Sequence, residues 1–115
     1  MSRRAIATYK LFNAEAITKA GTATSSAVDL RRSAQEGIFS ISYTTTAGSL
    51  AFSYTVCTTK NGTYFTPTAG GSIASGVTVG SGSYTFAPPL FPFMKIVATE
   101  ADSAATALTL HLNVQ

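Results

Sequence analysis

A chain of 115 residues is long enough for one compact domain and too short for two, because domains cluster at about 100 to 150 residues. Only 11% of its residues are charged, against roughly 25% in an average soluble domain, while serine and threonine together number 31, so the surface must consist largely of hydroxyl groups. The net charge of +3 comes from dispersed cations, which argues against a nucleic-acid partner, since nucleic-acid binders concentrate basic residues on one face.

The first third of the chain gives the weakest periodic signal. Residues 5–12 and 27–31 have the pattern of short strands. Residues 13–20 contain three alanines and are compatible with a helical turn as well as with an extended segment, and the sequence leaves this choice open.

The strongest period of two lies in the middle of the chain. In residues 49–58 every second side chain is large and apolar while the others are small, as in a strand that is buried on one face. Residues 37–46 repeat this pattern. The connection over residues 46–49 is short and contains Gly48, so the sequence predicts that these two strands pair as an antiparallel hairpin.

Turn signals follow the second of these strands. Asn61-Gly62 tolerates the positive φ angles of a tight hairpin turn, and Pro67 ends the extended segment after it. Residues 68–83 are rich in glycine and serine and predict a loop with a short strand. After an extended aromatic segment at residues 83–87, clustered prolines exclude both a central strand and a helix interior.

Two further alternating segments complete the chain. Residues 93–100 and 104–114 each predict a strand, with a turn over residues 100–103 between them. The pattern as a whole predicts an all-β fold, an antiparallel β-sandwich that is jelly-roll-like and has seven to nine short strands. We expect a single domain, with residues 1–24 as an N-terminal arm and first strand and residues 25–115 as the β-sandwich.

The side chains that enzymes most often use are scarce. His111 is the only histidine, no Gly-x-Ser-x-Gly elbow accompanies it, and we interpret it as part of the polar face of the last strand. Cys57 is the only cysteine, so it cannot form an internal disulfide, and no ligand spacing joins it to His111 in a metal site. The sequence therefore predicts no catalytic residue, no cofactor-binding residue and no metal site, and we expect no enzyme activity.

Signals for export and for membranes are also missing from the sequence. The apolar run that follows Arg3 and Arg4 stops at Thr8, far short of the core of a signal peptide. No segment approaches the ~20 apolar residues of a membrane span. We therefore expect synthesis in a cytoplasm and no membrane partner.

Four tyrosines raise an alternative function. Aromatic faces of this kind stack on sugar rings, so a carbohydrate- or surface-binding β-sandwich module with a glycan partner is the alternative hypothesis. Because the tyrosines alternate with core-facing residues, we expect most of them to be buried instead. The four residues are Tyr43, Tyr54, Tyr64 and Tyr84.

Two segments resemble a known class of proteins. Residues 53–67 read SYTVCTTKNGTYFTP and are similar to the strand–turn–strand segment of small β-sandwich proteins from tailed-phage virions, in which a strand leads to an Asn-Gly turn and an aromatic residue. Residues 91–100 read FPFMKIVATE and are similar to a later strand of those proteins, and the alternating leucine strand at the end is similar too. The resemblance covers residues 25–115 in layout.

The resemblance implies a non-enzymatic structural protein located in the virion, such as a capsid decoration, a fibre or another head or tail component. Its partners would be copies of itself and other virion proteins. The low charge favours self-association because identical copies repel one another weakly. The basic and then apolar N-terminus suggests an arm that docks onto an adjacent subunit of a homo-oligomer. The candidate assembly contacts are Arg3, Arg4, Ile6, Tyr9, Leu11, Arg31 and Arg32.

Overall fold

The computed structural model describes the chain in seven stretches, residues 6–17, 21–31, 37–46, 48–67, 71–88, 91–100 and 105–115. Within these stretches the chain forms nine β-strands and no helix. The strands are β1 (Ala7–Ile17), β2 (Thr22–Thr24), β3 (Val28–Asp29), β4 (Phe39–Thr45), β5 (Leu50–Cys57), β6 (Ser72–Val77), β7 (Gly80–Phe86), β8 (Phe93–Glu100) and β9 (Ala105–Val114).

The strands form two antiparallel sheets. Sheet A has the strand order β1-β9-β4-β7. Sheet B has the order β2-β8-β5-β6, and β3 pairs with β8 on the same side as β2, so that β2 and β3 share one strand position. Two packed four-strand layers whose connections pass repeatedly from one sheet to the other make a jelly roll. The predicted all-β, jelly-roll-like sandwich is confirmed.

The core lies between the two sheets and is supplied by alternate residues of each strand. In sheet A, Ile41 of β4 and Leu110 and Leu112 of β9 are fully buried. In sheet B, Phe52 of β5 and Ile96 of β8 are fully buried as well. The period of two in the sequence therefore identifies the buried face of these strands.

The predicted hairpin of β4 and β5 is wrong. β4 pairs with β7 and β9 in sheet A, whereas β5 pairs with β6 and β8 in sheet B. The short connection over residues 46–49 therefore crosses between the sheets. The alternation specifies which face of a strand is buried, but it does not specify the neighbour to which the backbone is bonded.

Other boundaries differ from the predicted ones by a few residues. β1 continues to Ile17, which resolves the choice for residues 13–17 in favour of a strand, and its register against β9 shifts around Ala14, where φ is 52°. Within residues 68–83 the chain forms β6 and the start of β7 at Gly80. Residues 18–20 and 101–103 lie outside the described residues.

The turn at Asn61-Gly62 brings the chain back to sheet B. Phe65 and Val56 exchange two backbone hydrogen bonds of 2.9 and 3.1 Å in an isolated antiparallel bridge. The turn therefore closes a loop longer than the predicted two-residue hairpin.

Candidate functional site

The outer side of sheet A carries a surface that we call the hydroxyl face. Side chains alternate between the two sides of a sheet, so residues between the buried positions of β1, β9, β4 and β7 point away from the core. Nearly all of them are small hydroxyl or amide side chains. The members of the hydroxyl face are Thr8, Lys10, Ser40, Ser42, Thr44, Ser81, Ser83, Thr85, Thr109, His111 and Asn113.

Hydrogen bonds join neighbouring side chains of this face across the strands. The Thr8 hydroxyl donates to Asn113 Oδ1 over 2.9 Å, and the Asn113 amide donates to Ser40 Oγ over 3.4 Å. In another row the hydroxyls of Thr44 and Ser81 lie 3.0 Å apart. The hydroxyl face is therefore an ordered polar surface with little charge.

A depression of about 260 Å³ lies within the hydroxyl face. Its lining includes His111 and the hydroxyl groups of Ser42, Thr44, Ser81 and Thr109. The described residues that line it include no carboxylate. The depression can donate and accept hydrogen bonds through hydroxyls and one imidazole.

The described part of the chain offers no cluster of three His, Cys, Asp or Glu side chains that could hold a metal ion. Cys57 is buried in sheet B, with its sulfur 3.9 Å from the Thr59 hydroxyl, whereas His111 belongs to sheet A. The two residues are therefore on different layers of the sandwich. Within the described segments, no helix has the length and apolar character that crossing a membrane requires.

The residues of β1 that the sequence predicts as assembly contacts lie in different environments. Ile6, just before the strand, is 63% exposed. Tyr9 and Leu11 are partly buried and pack against the core, and the Tyr9 hydroxyl donates to the Asp29 carbonyl over 3.5 Å. β1 itself is an edge strand of sheet A that pairs with β9. Three predicted contacts, Arg3, Arg4 and Arg32, lie outside the described residues.

Arg31 is held in place on the surface by Asp29. Its Nε donates to Asp29 Oδ1 over 3.0 Å and its Nη2 donates to Asp29 Oδ2 over 2.7 Å. These hydrogen bonds, together with the charge of the carboxylate, raise the pKa of Arg31 above its usual value. The guanidinium also lies over the ring of Phe93, 5.2 Å from its centroid. Because Tyr9 bonds to the backbone of the same aspartate, the structure brings Tyr9 and Arg31 together at Asp29.

Two exposed isoleucines lie at one end of sheet A. Ile38 is 55% exposed and exchanges backbone hydrogen bonds of 3.1 and 2.9 Å with Gln115 of the C-terminus. Ile6 precedes Ala7, which pairs with Val114, so the isoleucines flank β9 at the same end. The sequence prediction misses Ile38, although its position out of phase with the buried residues of β4 indicates that its side chain is exposed.

The tyrosines of the alternative hypothesis are engaged with the protein. Tyr43 and Tyr84 stack with their centroids 5.8 Å apart and their planes 7° apart, and Tyr54 is buried. Burial raises the pKa of Tyr54, and burial followed by the hydrogen bond with Tyr84 raises the pKa of Tyr43. Tyr64 is half-buried, and the ammonium of Lys95 lies 4.3 Å from the centroid of its ring.

Comparison with known proteins finds a likeness of fold. No family model matches the sequence, and no curated protein matches it. The crystal structure of the PBSX exported protein XepA superposes on 94% of this chain, with a TM-score of 0.61 and 12% sequence identity. The match covers 36% of XepA, so this chain spans about a third of the length of that protein. A structure of infectious bursal disease virus, Gx strain, gives a TM-score of 0.44 and 14% identity over 98% of this chain and 32% of the other.

Proposed function

We propose that this chain is a non-enzymatic structural protein of a virion, a capsid decoration, fibre or other head or tail component, that acts through contacts with copies of itself and with other virion proteins. The observation that carries the proposal is the strand order of the two sheets, because the jelly roll is a fold of viral capsid proteins, although lectins and cupins also use it. The likeness in fold to XepA over 94% of the chain is consistent with this.

The segments that resemble virion proteins in sequence support the same function. Residues 53–67 contain most of β5 and the turn after it, and residues 91–100 contain β8. These two strands pair with each other along all eight residues, from Leu50 with Glu100 to Cys57 with Phe93. The resemblance therefore includes both central strands of sheet B, and its third segment, the alternating leucine strand, is β9 of sheet A.

The surface of the molecule is suited to contacts between proteins. Only 11% of the residues are charged, so copies of the chain repel one another weakly. The exposed Ile6 and Ile38 supply apolar area at one end of sheet A. The hydrogen-bonded rows of the hydroxyl face supply a rigid polar surface beside them.

Virus particles from the organism that encodes the chain provide the test. We expect the chain to co-sediment with the particles in a density gradient and to be present in many copies per particle, as measured by quantitative mass spectrometry. An abundant cytoplasmic protein of the same cells, measured in the same fractions, is the control for contamination. The proposal fails if the chain is no more enriched in the particle fractions than this control.

A second candidate function, carbohydrate binding, is favoured by the depression in the hydroxyl face. Its hydroxyls can form the hydrogen bonds that sugar hydroxyls require, and its volume of about 260 Å³ approaches that of small-molecule sites. We expect a glycan array to yield a ligand that shifts the NMR signals of His111, and we expect Ser42→Val to weaken its binding. Thr55→Val, on the outer side of sheet B, is the matched control. An array without any ligand would remove this candidate.

A further inference from the structure

Three of the four sheet edges carry features that prevent pairing with a further strand. β1 has Lys10, Glu15 and several register shifts against β9. β2 and β3, which share an edge of sheet B, are only three and two residues long. β6 has register shifts against β5 and contains Gly76 at a φ of 66°.

The fourth edge, formed by β7, has no charged residue, no register shift and a length of seven residues, and its one glycine at a positive φ, Gly80, is the first residue of the strand. All seven residues of β7 pair with β4 in an unbroken register, from Phe39 with Phe86 to Thr45 with Gly80. Its sequence, Gly-Ser-Gly-Ser-Tyr-Thr-Phe, contains no charged residue and no proline. Within the described residues no strand pairs with its other side. The outer backbone N–H and C=O groups of β7 therefore form a template for one more strand.

We propose that this further strand is β7 of a second copy of the chain, which runs antiparallel to the first across a two-fold axis at Ser83. The two four-stranded sheets A then join into one continuous sheet. Such an interface uses the same patch on both copies, as two-fold dimers do. The inference rests on the self-association in the proposed function and deepens it by assigning the surface that mediates it.

The side chains of β7 are complementary to themselves in this register. Full overlap of two antiparallel copies of a seven-residue strand places Ser83 opposite Ser83. Gly82 then faces Tyr84 of the second copy, and Gly80 faces Phe86, all on the core side of the sheet. The space over Gly80 is open, so Phe86 of the second copy can cover the backbone that this glycine leaves bare, whereas Tyr84 of the second copy meets the Tyr43 ring that already lies over Gly82.

Other registers of the same two strands fit less well. A shift of one residue places core-side residues of one copy opposite outward residues of the other. A shift of two residues shortens the overlap and brings Gly82 opposite Gly82 or Tyr84 opposite Tyr84. The full-overlap register is therefore the one that pairs the most residues and places each large aromatic side chain opposite a glycine.

The aromatic residues of β7 are placed to make this contact. Tyr84 and Phe86 pack against the core but are only half-buried at the edge of the sheet. Tyr84 stacks on Tyr43, and the Tyr43 ring lies over Gly82, where a Cβ atom would be 2.8 Å from the Tyr43 hydroxyl. Pairing of two copies therefore continues a row of rings across the axis. On the outward side, the residues that meet are uncharged hydroxyl side chains, so no like charges oppose each other.

Opposite charges at position 83 test the proposal. We expect the wild-type chain to sediment at twice its 11.9 kDa mass. Ser83→Lys and Ser83→Glu each place like charges directly opposite each other, so each variant alone is expected to sediment as a monomer. An equal mixture of the two variants is expected to recover the dimer, seen as a heterodimer by native mass spectrometry. This recovery requires that position 83 of one copy faces position 83 of the other.

The controls place the same charges at the opposite edge of the same sheet. Thr8→Lys and Thr8→Glu, on the exposed outward side of β1, are expected to remain dimeric, and circular dichroism checks that every variant is folded. The proposal is overturned if the wild type is monomeric at high concentration, if the Ser83 variants keep the dimer mass, or if their mixture stays monomeric.

The virion function has a separate readout, so the two ideas can fail independently. A chain that is found in virus particles but is monomeric in solution contradicts the β7 interface and leaves the structural function intact. A chain that dimerises through β7 but is absent from particles contradicts the virion function and leaves the interface intact.

Discussion

Glu100 is a polar side chain inside the core, with only 1% of its surface exposed. Its carboxylate accepts a hydrogen bond of 2.6 Å from the Ser49 amide, and its own amide donates to the Gly21 carbonyl over 2.9 Å. A buried carboxylate is costly unless hydrogen bonds compensate it. Glu100 therefore joins the end of β8 to the β4–β5 connection and to the segment before β2.

Replacement of this side chain is predicted to destabilise the fold. Glu100→Ala leaves the part-buried Ser49 amide without its acceptor, and we expect the free energy of unfolding to fall by about 1–3 kcal/mol, measured by urea denaturation. Glu15→Ala, at an exposed position of β1, is the control and is expected to change it by less than about 0.5 kcal/mol. Equal losses in the two variants would contradict the structural importance of Glu100.

The environment of a single residue was predictable from the sequence where it depends only on the alternation of the strand that contains the residue. The alternation of β9 predicts that His111 lies on the polar face, and the structure places it beside Thr109 in the depression of the hydroxyl face. The sequence predicts Glu100 as the last residue of a strand and the first residue of a turn. Its burial depends on Ser49, which is distant along the chain, and no local pattern indicates such a partner.

The loop after β5 is a packed element of sheet B. Phe65 is bonded to Val56, and the Tyr64 hydroxyl donates to the Lys60 carbonyl over 2.8 Å. The ammonium of Lys95, from the neighbouring strand β8, lies against the ring of Tyr64. Cys57 is only 6% exposed beside this loop. The loop thus covers one end of the outer side of sheet B.

Gly62 is predicted to be essential for the close approach of this loop to β5. A Cβ atom at position 62 would lie 2.7 Å from Cys57 Sγ and closer still to the Thr59 hydroxyl, so in Gly62→Ala these two side chains or the loop itself must shift. We expect a loss of about 1–3 kcal/mol in the free energy of unfolding, as for other overpacked sites. We also expect Cys57 to react faster with a thiol reagent in the native protein. Thr63→Ala, at an exposed neighbour, is the control, and unchanged thiol reactivity in Gly62→Ala would refute the argument.

The pairing of strands was less predictable than their existence. Ser42 of β4 is paired with Ser83 on one side and with His111 on the other, both far along the chain. Hydrophobic alternation shows that β4 and β5 are strands with one buried face. A strand in either sheet of the sandwich satisfies this pattern, so the pattern does not tell which sheet a strand joins. The nearest strand in sequence was therefore the wrong partner for β4.

At the scale of the whole molecule, the fold class follows from the pattern of alternating segments in the sequence, whereas the contact surfaces do not. Many short alternating segments and no long helical pattern suffice to predict a sandwich. The free edge of β7 becomes visible only when the strand order is known, because every strand has the same backbone groups and the order decides which remain unpaired. Ile6 and Ile38 likewise come to the same end of sheet A, on either side of β9, only through the pairing of β1 and β4 with β9.

The stability of the whole molecule at alkaline pH depends on its buried and partly buried tyrosines. Burial raises the pKa of Tyr43, Tyr54 and Tyr64 above the usual value of about 10. The folded state therefore binds these protons more tightly than the unfolded state. Their contribution to the free energy of unfolding is fully present below about pH 10 and is lost as the pH rises through the folded-state pKa values.

We therefore expect the free energy of unfolding, measured by urea denaturation at a series of pH values, to decrease above about pH 10. Tyr54→Phe removes one of the groups while keeping its ring, so its stability is expected to decrease less steeply over the same range. Tyrosinate absorbance supplies an independent measurement, because fewer tyrosines should ionise in the folded chain than in urea at the same pH. A stability that is flat from neutral pH to well above pH 10, or one that decreases equally in Tyr54→Phe, would contradict the burial of these hydroxyl groups.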